Sequence, residues 1–183
     1  MSEKHAELLA LGHDYIPGEC RCAGWWMSEK YDGWRGYWTG RELFTRHGTP
    51  IAAPAWWLAE LPHFPLDGEL WAGYGQLGAV KSACQRSVPD DAEWRKIRYL
   101  IWHSPDCQLP FEAAHDWLTK HIHNNRVVFI VQYRITSGEE QIREQFKKVT
   151  ARGGEGLVLV NPTVTWEPGR RIKGIFKVTE KSW

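Results

Sequence analysis

The chain has 183 residues, 43% hydrophobic and 25% charged, with a formal net charge of +1. That length suits one domain and leaves little room for a second; the balance excludes a disordered or low-complexity chain, and a molecule that draws in nucleic acid by overall charge alone. No apolar run is long enough to span a bilayer, and the opening "MSEKHAELLALGHDY" is too polar for a secretory signal, so a cytoplasmic protein without membrane contact is expected.

Taken in chain order, "WWMSEKYDGWRGYW" places Lys30 two residues ahead of Asp32-Gly33, a pair that favours tight turns, amid crowded tryptophans. "GWRGYWTGRELFTRHG" reads as a hairpin turning at "TGRE", and "PAWWLAELPH" as a short helix stopped by Pro62. "PLDGELWAGYG" predicts a short strand leaving an Asp-Gly turn, "PDDAEWRKI" a helix with acids at its positive end, and "KIRYLIWHS" a buried strand. "LPFEAAHDWLTKHIHNN" puts Phe111, Ala114, Trp117, Leu118 and Ile122 on one helical face. "RVVFIVQYRI" carries the strongest strand signal. "SGEEQIREQFKKVTARGG" predicts a helix with a Ser137/Glu140 capping box, an apolar stripe of Ile142, Phe146 and Val149, and a stop at Gly153. "GEGLVLVNP" and "GIFKVTE" predict two further strands. Strands and helices interleave without a regular βαβ rhythm, which predicts an α+β fold of mostly antiparallel sheets, one domain over residues 1–183.

The cysteines, Cys20, Cys22, Cys84 and Cys107, offer one C-x-C and no second pair, so four reduced thiols are expected rather than a zinc site. His121 and His123 are expected at the surface rather than on a metal. Most of the 12 tryptophans should line the core or a cleft, with a few free to stack on bases. From Arg170 to Trp183, Arg170, Arg171, Lys173, Lys177 and Lys181 face one acid, Glu180, a local net charge of +4. That strip reads either as a solvated tail or as a phosphate-binding surface.

Four pieces stand in order along the chain: Lys30-Tyr31-Asp32-Gly33-Trp34-Arg35, Asp67-Gly68-Glu69-Leu70, Glu155-Gly156-Leu157-Val158, and Lys177 in "IFKV". Each alone is compatible with an ordinary turn or strand end; together they pair an early lysine with two glutamates and a late lysine. The order resembles the covalent nucleotidyltransferases: DNA ligases, RNA ligases and capping guanylyltransferases. "EKYDGWR", "FTRHG", "LDGELW", "EGLVLV" and "GIFKV" look like that superfamily's five successive motifs. The stretches "GWWMSEKYDGWRGYW", "HGTPIAAPAWW", "LPHFPLDGELW", "VPDDAEWRKIRYL" and "GGEGLVL" resemble minimal bacterial ATP-dependent DNA ligases of the E type, over a span from about residue 15 to the end.

The resemblance implies an adenylation domain with a nucleotide cleft, using ATP and Mg²⁺ or Mn²⁺. Lys30 would be the nucleophile, forming lysyl-AMP before AMP passes to a 5′-phosphate and the nick is sealed. A free lysine is nearly all ammonium at neutral pH, so apolar walls, for which Trp25, Trp26 and Trp34 are placed, and nearby positive charge are needed to free its lone pair. By the same resemblance Asp32 orients Lys30, Glu69 and Glu155 face the metal and ribose, and Arg35 and Arg46 hold phosphate. Lys177 neutralises the α-phosphate, Glu29 meets the adenine amino group, and Trp102 stacks on the base. Arg170, Arg171, Lys173 and Lys181 would hold DNA. The implied partner is nicked duplex DNA, met by a monomer, in replication or repair in a bacterial or phage setting.

Three departures stand out. The fifth motif usually carries lysines two apart, whereas Thr179 follows Lys177 at that spacing, leaving Lys173 or Lys181 to substitute. Trp102-His103 stands where an aromatic–acid pair is common. The OB-fold that follows the fifth motif in ligases does not fit in the residues after Lys177, so no OB-fold is expected and self-adenylation should be slow. The competing expectations are an RNA ligase, a GTP-using capping enzyme, and a non-catalytic module that grips nicked or single-stranded DNA.

Overall fold

The computed structural model describes residues 11–167 and 169–183; the polar opening, residues 1–10, lies outside them. In chain order the elements are β1 (Leu11–Asp14), β2 (Trp26–Lys30), β3 (Trp34–Trp38), β4 (Leu43–Thr45), α1 (Ala55–Leu58), β5 (Leu66–Trp71), α2 (Leu77–Gln85) and α3 (Asp91–Trp94). There follow β6 (Arg98–His103), α4 (Phe111–His121), β7 (Val128–Ile130), β8 (Arg134–Ile135), α5 (Glu139–Ala151), β9 (Gly156–Val160) and β10 (Arg171–Val178). The strands form two five-stranded sheets, ordered β1-β10-β9-β2-β8 and β4-β3-β5-β6-β7. Among the described residues only the β1–β10 and β6–β7 pairs are parallel, so the mostly antiparallel α+β expectation holds.

Each sheet buries one face under helices. The stripe expected on α5, Ile142, Phe146 and Val149, packs on Met27, Leu157, Leu159 and Val178 of the first sheet. The second sheet lies against α1 to α4, where Trp57 and Trp94 are fully buried with ring centroids 4.9 Å apart. The Trp57 indole N–H donates to the Ile97 carbonyl at 3.1 Å, whereas the buried Trp94 N–H has no hydrogen-bond partner.

Several expectations need correction. "RVVFIVQYRI" is not one strand: β7 joins the second sheet and β8 the first, and the chain crosses between them at 131–133. A continuous apolar run reports burial, and here the burial comes from two different cores. Asp67-Gly68 lies inside β5 rather than in a turn, because Gly68 pairs with Gly36 on one side and Ile101 on the other. Asp32-Gly33 likewise makes no hairpin; residues 31–33 carry the chain from the first sheet to the second. At the start of α5, Gly138 is the N-cap, and the Ser137 N–H is taken by the Gln141 side chain at 2.7 Å, so no Ser137/Glu140 box forms. Cys20 and Cys22 are joined in a disulfide, their Cα atoms brought to 5.3 Å by the local turn; Cys84 and Cys107 are the free thiols, both buried. His121 and His123 are exposed, as expected. Among the described residues no helix is long and apolar enough to cross a membrane.

His103, closing β6, is 1% exposed and stacks on Trp166 at 4.6 Å, with neither ring nitrogen hydrogen-bonded. Burial drives its pKa down from 6.5 to about 4, against the pull of Asp67 and with a further push from Arg35. The unfolded chain therefore takes up a proton here before the folded one does, and stability falls as pH drops from 6.5 towards 4. The imidazole should account for about 3 kcal/mol lost between pH 7.5 and pH 4. In urea unfolding across that range wild type should lose about this much more stability than His103→Phe; parallel pH profiles would show that His103 is not the titrating group.

Candidate active site

A cleft of about 400 Å³ is lined by residues of both sheets. β2 runs antiparallel to β9 with Lys30 opposite Gly156, which sets Glu155 beside the end of β2. There the Lys30 Nζ forms an ion pair with the Glu155 carboxylate. Two glycines permit this approach. A Cβ on Gly156 would lie 2.0 Å from the Val178 carbonyl oxygen, and one on Gly33 would lie 2.2 Å from that of Leu70. The Asp-Gly of the first motif is therefore a close crossing of backbones.

Across the cleft, β3 and β5 pair Arg35 with Glu69. Arg35 donates from Nε to Asp67 Oδ1 at 2.9 Å and from Nη2 to Oδ2 at 2.5 Å, and its guanidinium carbon lies 5.4 Å from the centroid of the Trp102 ring. Asp67 is fully buried. Burial opposes the charge on Arg35, but the Asp67 carboxylate outweighs it and holds the guanidinium charged. Glu69 is pushed up to about 8 by burial, against the pull of Arg35 and Lys30, with Asp67 and Glu155 adding to the rise. The cleft thus holds a carboxyl group on each side of Lys30, one of them poised to ionise when a cation arrives.

Of the residues expected from sequence, Glu29, Lys30, Asp32, Arg35, Arg46, Glu69, Trp102, Glu155, Arg171 and Lys177 all border the cleft. Lys177 Nζ stands 3.1 Å from Asp14 Oδ1, and this hydrogen bond is the main cause that lowers the Asp14 pKa. Arg170, Lys173 and Lys181 are exposed outside the lining, so neither lysine takes the place left by Thr179. Thr179 instead begins a 3-10 turn, its N–H donating to the Ser182 hydroxyl at 3.2 Å. Arg35, expected to hold phosphate, has its Nε and Nη2 committed to Asp67. The walls differ too. Trp25 stacks on Phe176, Trp26 is covered by Phe111 and Tyr133, and Trp34 packs against the second core, so none of the three lines the cleft. Trp102, Val131, Tyr133, Val158 and Trp166 wall it instead. Sequence reasoning missed Ser28, Tyr133, Trp166 and Asp67. Only Asp67 carried a signal, as the residue two before Glu69 and so on the same strand face.

The profile of the ATP dependent DNA ligase domain matches residues 97–179. The DNA ligase of Haemophilus influenzae (strain Rd) is 30% identical over 149 residues, 80% of this chain and 55% of that protein. A solved structure from a structure–function study of Lig E DNA ligases superposes with a TM-score of 0.85 at 30% identity, over 94% of this chain and 68% of that one. The chain belongs to the ATP-dependent DNA ligases. It spans about half the length of the Haemophilus ligase. The adenylate of Chlorella virus DNA ligase superposes at TM-score 0.75 and 15% identity, over 94% of this chain and 67% of that one, which shows the shared ligase fold. The two sheets of this ligase-family chain are thus the nucleotidyltransferase fold expected from its motifs, with no closed barrel among the described residues.

Breaking the Arg35–Asp67 pair strands a charge in the wall of the cleft. Asp67→Ala should cost about 3–5 kcal/mol in chemical denaturation, and Arg35→Met with Asp67→Leu should cost much less. Equal losses in the single and double variants would show that the pair is not what the single substitution breaks.

Proposed function

We propose that this chain is the catalytic core of an ATP-dependent DNA ligase in which Lys30 carries AMP. The observation that carries the reading is Lys30 Nζ ion-paired with Glu155 inside a cleft of nucleotide size. The amine must shed its proton before its lone pair attacks the α-phosphorus, and the Glu155 carboxylate is the acceptor at hand. The new N–P bond displaces pyrophosphate. AMP then passes from Lys30 to the 5′-phosphate at a nick, and the 3′-hydroxyl displaces AMP to close the strand.

Lys177 and Arg46 border the cleft where an α-phosphate needs positive charge, with Arg171 as a third cation. Trp102 and Trp166 offer faces for a base. Glu29 keeps one buried carboxylate oxygen, Oε1, without a hydrogen-bond partner, which suits the adenine amino group. Asp32 orients Lys30 from the crossing. Among the described residues no three His, Cys, Asp or Glu side chains form a ready-made metal cage. Two carboxylates facing a triphosphate nonetheless suit Mg²⁺ or Mn²⁺, which keeps few protein ligands and binds largely through water and phosphate. Glu69 and Glu155 would hold that ion, which supplies charge neutralisation on the phosphates. Nicked duplex DNA, met by a monomer, is the proposed partner, with Arg170, Arg171, Lys173 and Lys181 on its phosphates.

With [α-³²P]ATP and Mg²⁺ the protein should become labelled, and the label should chase into a nicked duplex. Label retained from GTP and not ATP would make it a capping-type enzyme; transfer only to RNA ends would make it an RNA ligase. Lys30→Ala should take no label yet still seal a nick that already carries 5′-AMP. DNA affinity should fall with salt at a log–log slope of about −0.9 per phosphate contact, reduced by about 1–2 in Arg170→Ala with Lys173→Ala. An unchanged slope would remove those two side chains from the DNA surface.

A further inference from the structure

The turn that delivers Glu155 to Lys30 is short and carries a charged anchor at its start. After α5, the N–H groups of Arg152, Gly153 and Gly154 are taken by the carbonyls of Val149 (3.2 Å), Thr150 (3.0 Å) and Val149 (2.9 Å), and the chain enters β9 one residue after Glu155. Arg152 Nη2 donates to Glu29 Oε2 at 2.7 Å, and the Tyr74 hydroxyl donates to the same oxygen at 3.4 Å. Glu29 immediately precedes Lys30. Tyr74 comes from the loop that follows β5, the strand of Glu69, and its ring meets Trp71, which in turn meets Tyr31 at 5.3 Å. One carboxylate therefore ties the backbone segments that carry Lys30, Glu155 and Glu69.

The Glu29 side chain is 9% exposed while Arg152 is 52% exposed. A carboxylate so nearly dry needs a cationic partner, whereas an arginine so open to water has no such need. If stability were the only return, a pair this open on one side would contribute little. Its location points elsewhere. Arg152 stands three residues before Glu155 and pulls on the residue next to Lys30, so its pairing sets the separation of the two groups in the floor of the cleft.

We infer that Arg152 is a positioning residue: by pairing with Glu29 it braces the turn from Arg152 to Glu155 so that the Glu155 carboxylate stays on the Lys30 amine. This inference rests on the proposed role of Lys30. It assigns Arg152 no contact with ATP or DNA.

The test uses Arg152→Met, which keeps the stem and loses the charge, and Arg152→Lys, which restores a charge on a shorter head. Should the Met variant not fold, Arg152→Gln replaces it. Two readouts are taken on each protein. The first is the rate of lysyl-AMP formation against ATP concentration. A group misplaced by a fraction of an ångström to an ångström costs up to about 100-fold, so Arg152→Met should lower the maximal rate about 10- to 100-fold with KM for ATP within about 3-fold, and Arg152→Lys should recover most of the loss. The second needs no catalysis: acetylation of Lys30 by acetic anhydride, followed by peptide mass spectrometry with the exposed Lys120 as internal standard. An amine paired with Glu155 is shielded, so Lys30 should acetylate several-fold faster in Arg152→Met and at the wild-type rate in Arg152→Lys.

Unchanged rate and unchanged acetylation in a folded Arg152→Met protein would overturn the inference. So would a raised KM with the maximal rate intact, which would make Arg152 a nucleotide-holding group, or loss of stability alone. If wild type takes no AMP but the acetylation change appears, the brace stands and the ligase reading falls.

Discussion

A lysine amine and a glutamate carboxylate are brought together where β2 and β9 run side by side, and the proposed chemistry rests on that contact. The pair is 24% and 36% exposed, open enough to water that it contributes at most about 1 kcal/mol to folding. Its cost in backbone is considerable: Gly156 must pass close to Val178, and Gly33 close to Leu70. An arrangement so demanding of the backbone and so little rewarded in stability accords with the proposed pairing of a nucleophile with a proton acceptor. Separating Lys30 from Glu155 would leave the fold largely intact and the cleft without its central group.

The two sheets divide the work. The first carries Lys30 on β2, Lys177 and Arg171 on β10, and Glu155 just ahead of β9. The second carries Arg35, Glu69 and Trp102 on a scaffold whose rigidity comes from Trp57, Trp94 and the buried Arg35–Asp67 pair. Charges in the cleft are thereby graded by burial. Asp67 is fully enclosed and spent on Arg35, and Glu69 is pushed up to about 8 and responsive to an incoming cation. Lys30 remains reachable. The same residue types perform structural and chemical tasks, and distance from water decides which.

Much of the site was legible because its residues occur as short motifs with fixed order, and strand alternation then places Lys30, Glu69 and Lys177 towards a common cleft. What the motifs did not carry was commitment. Arg35 reads as a phosphate ligand, and the motif gives no sign that Asp67, two residues from Glu69, holds two of its nitrogens. Trp25, Trp26 and Trp34 read as cleft walls until their partners are seen, because sequence spacing does not say what covers an aromatic face. Turn chemistry misled at Asp32-Gly33 and Asp67-Gly68, where glycine serves close backbone approach rather than a reversal. The division of that run into β7 and β8 escaped for a related reason: hydrophobic periodicity records that a segment is buried but not under which sheet. The α5 stripe was read correctly because a long amphipathic helix has one way to bury its apolar face.

The most direct test of the account is peptide-resolved mass spectrometry of the protein after incubation with ATP and Mg²⁺. One adenylate should appear, on the peptide containing Lys30 and on the Lys30 amine itself, and be lost in Lys30→Ala. Adenylate on any other side chain, or none on a folded wild-type protein, would contradict the assignment of Lys30 as the group that bonds phosphorus.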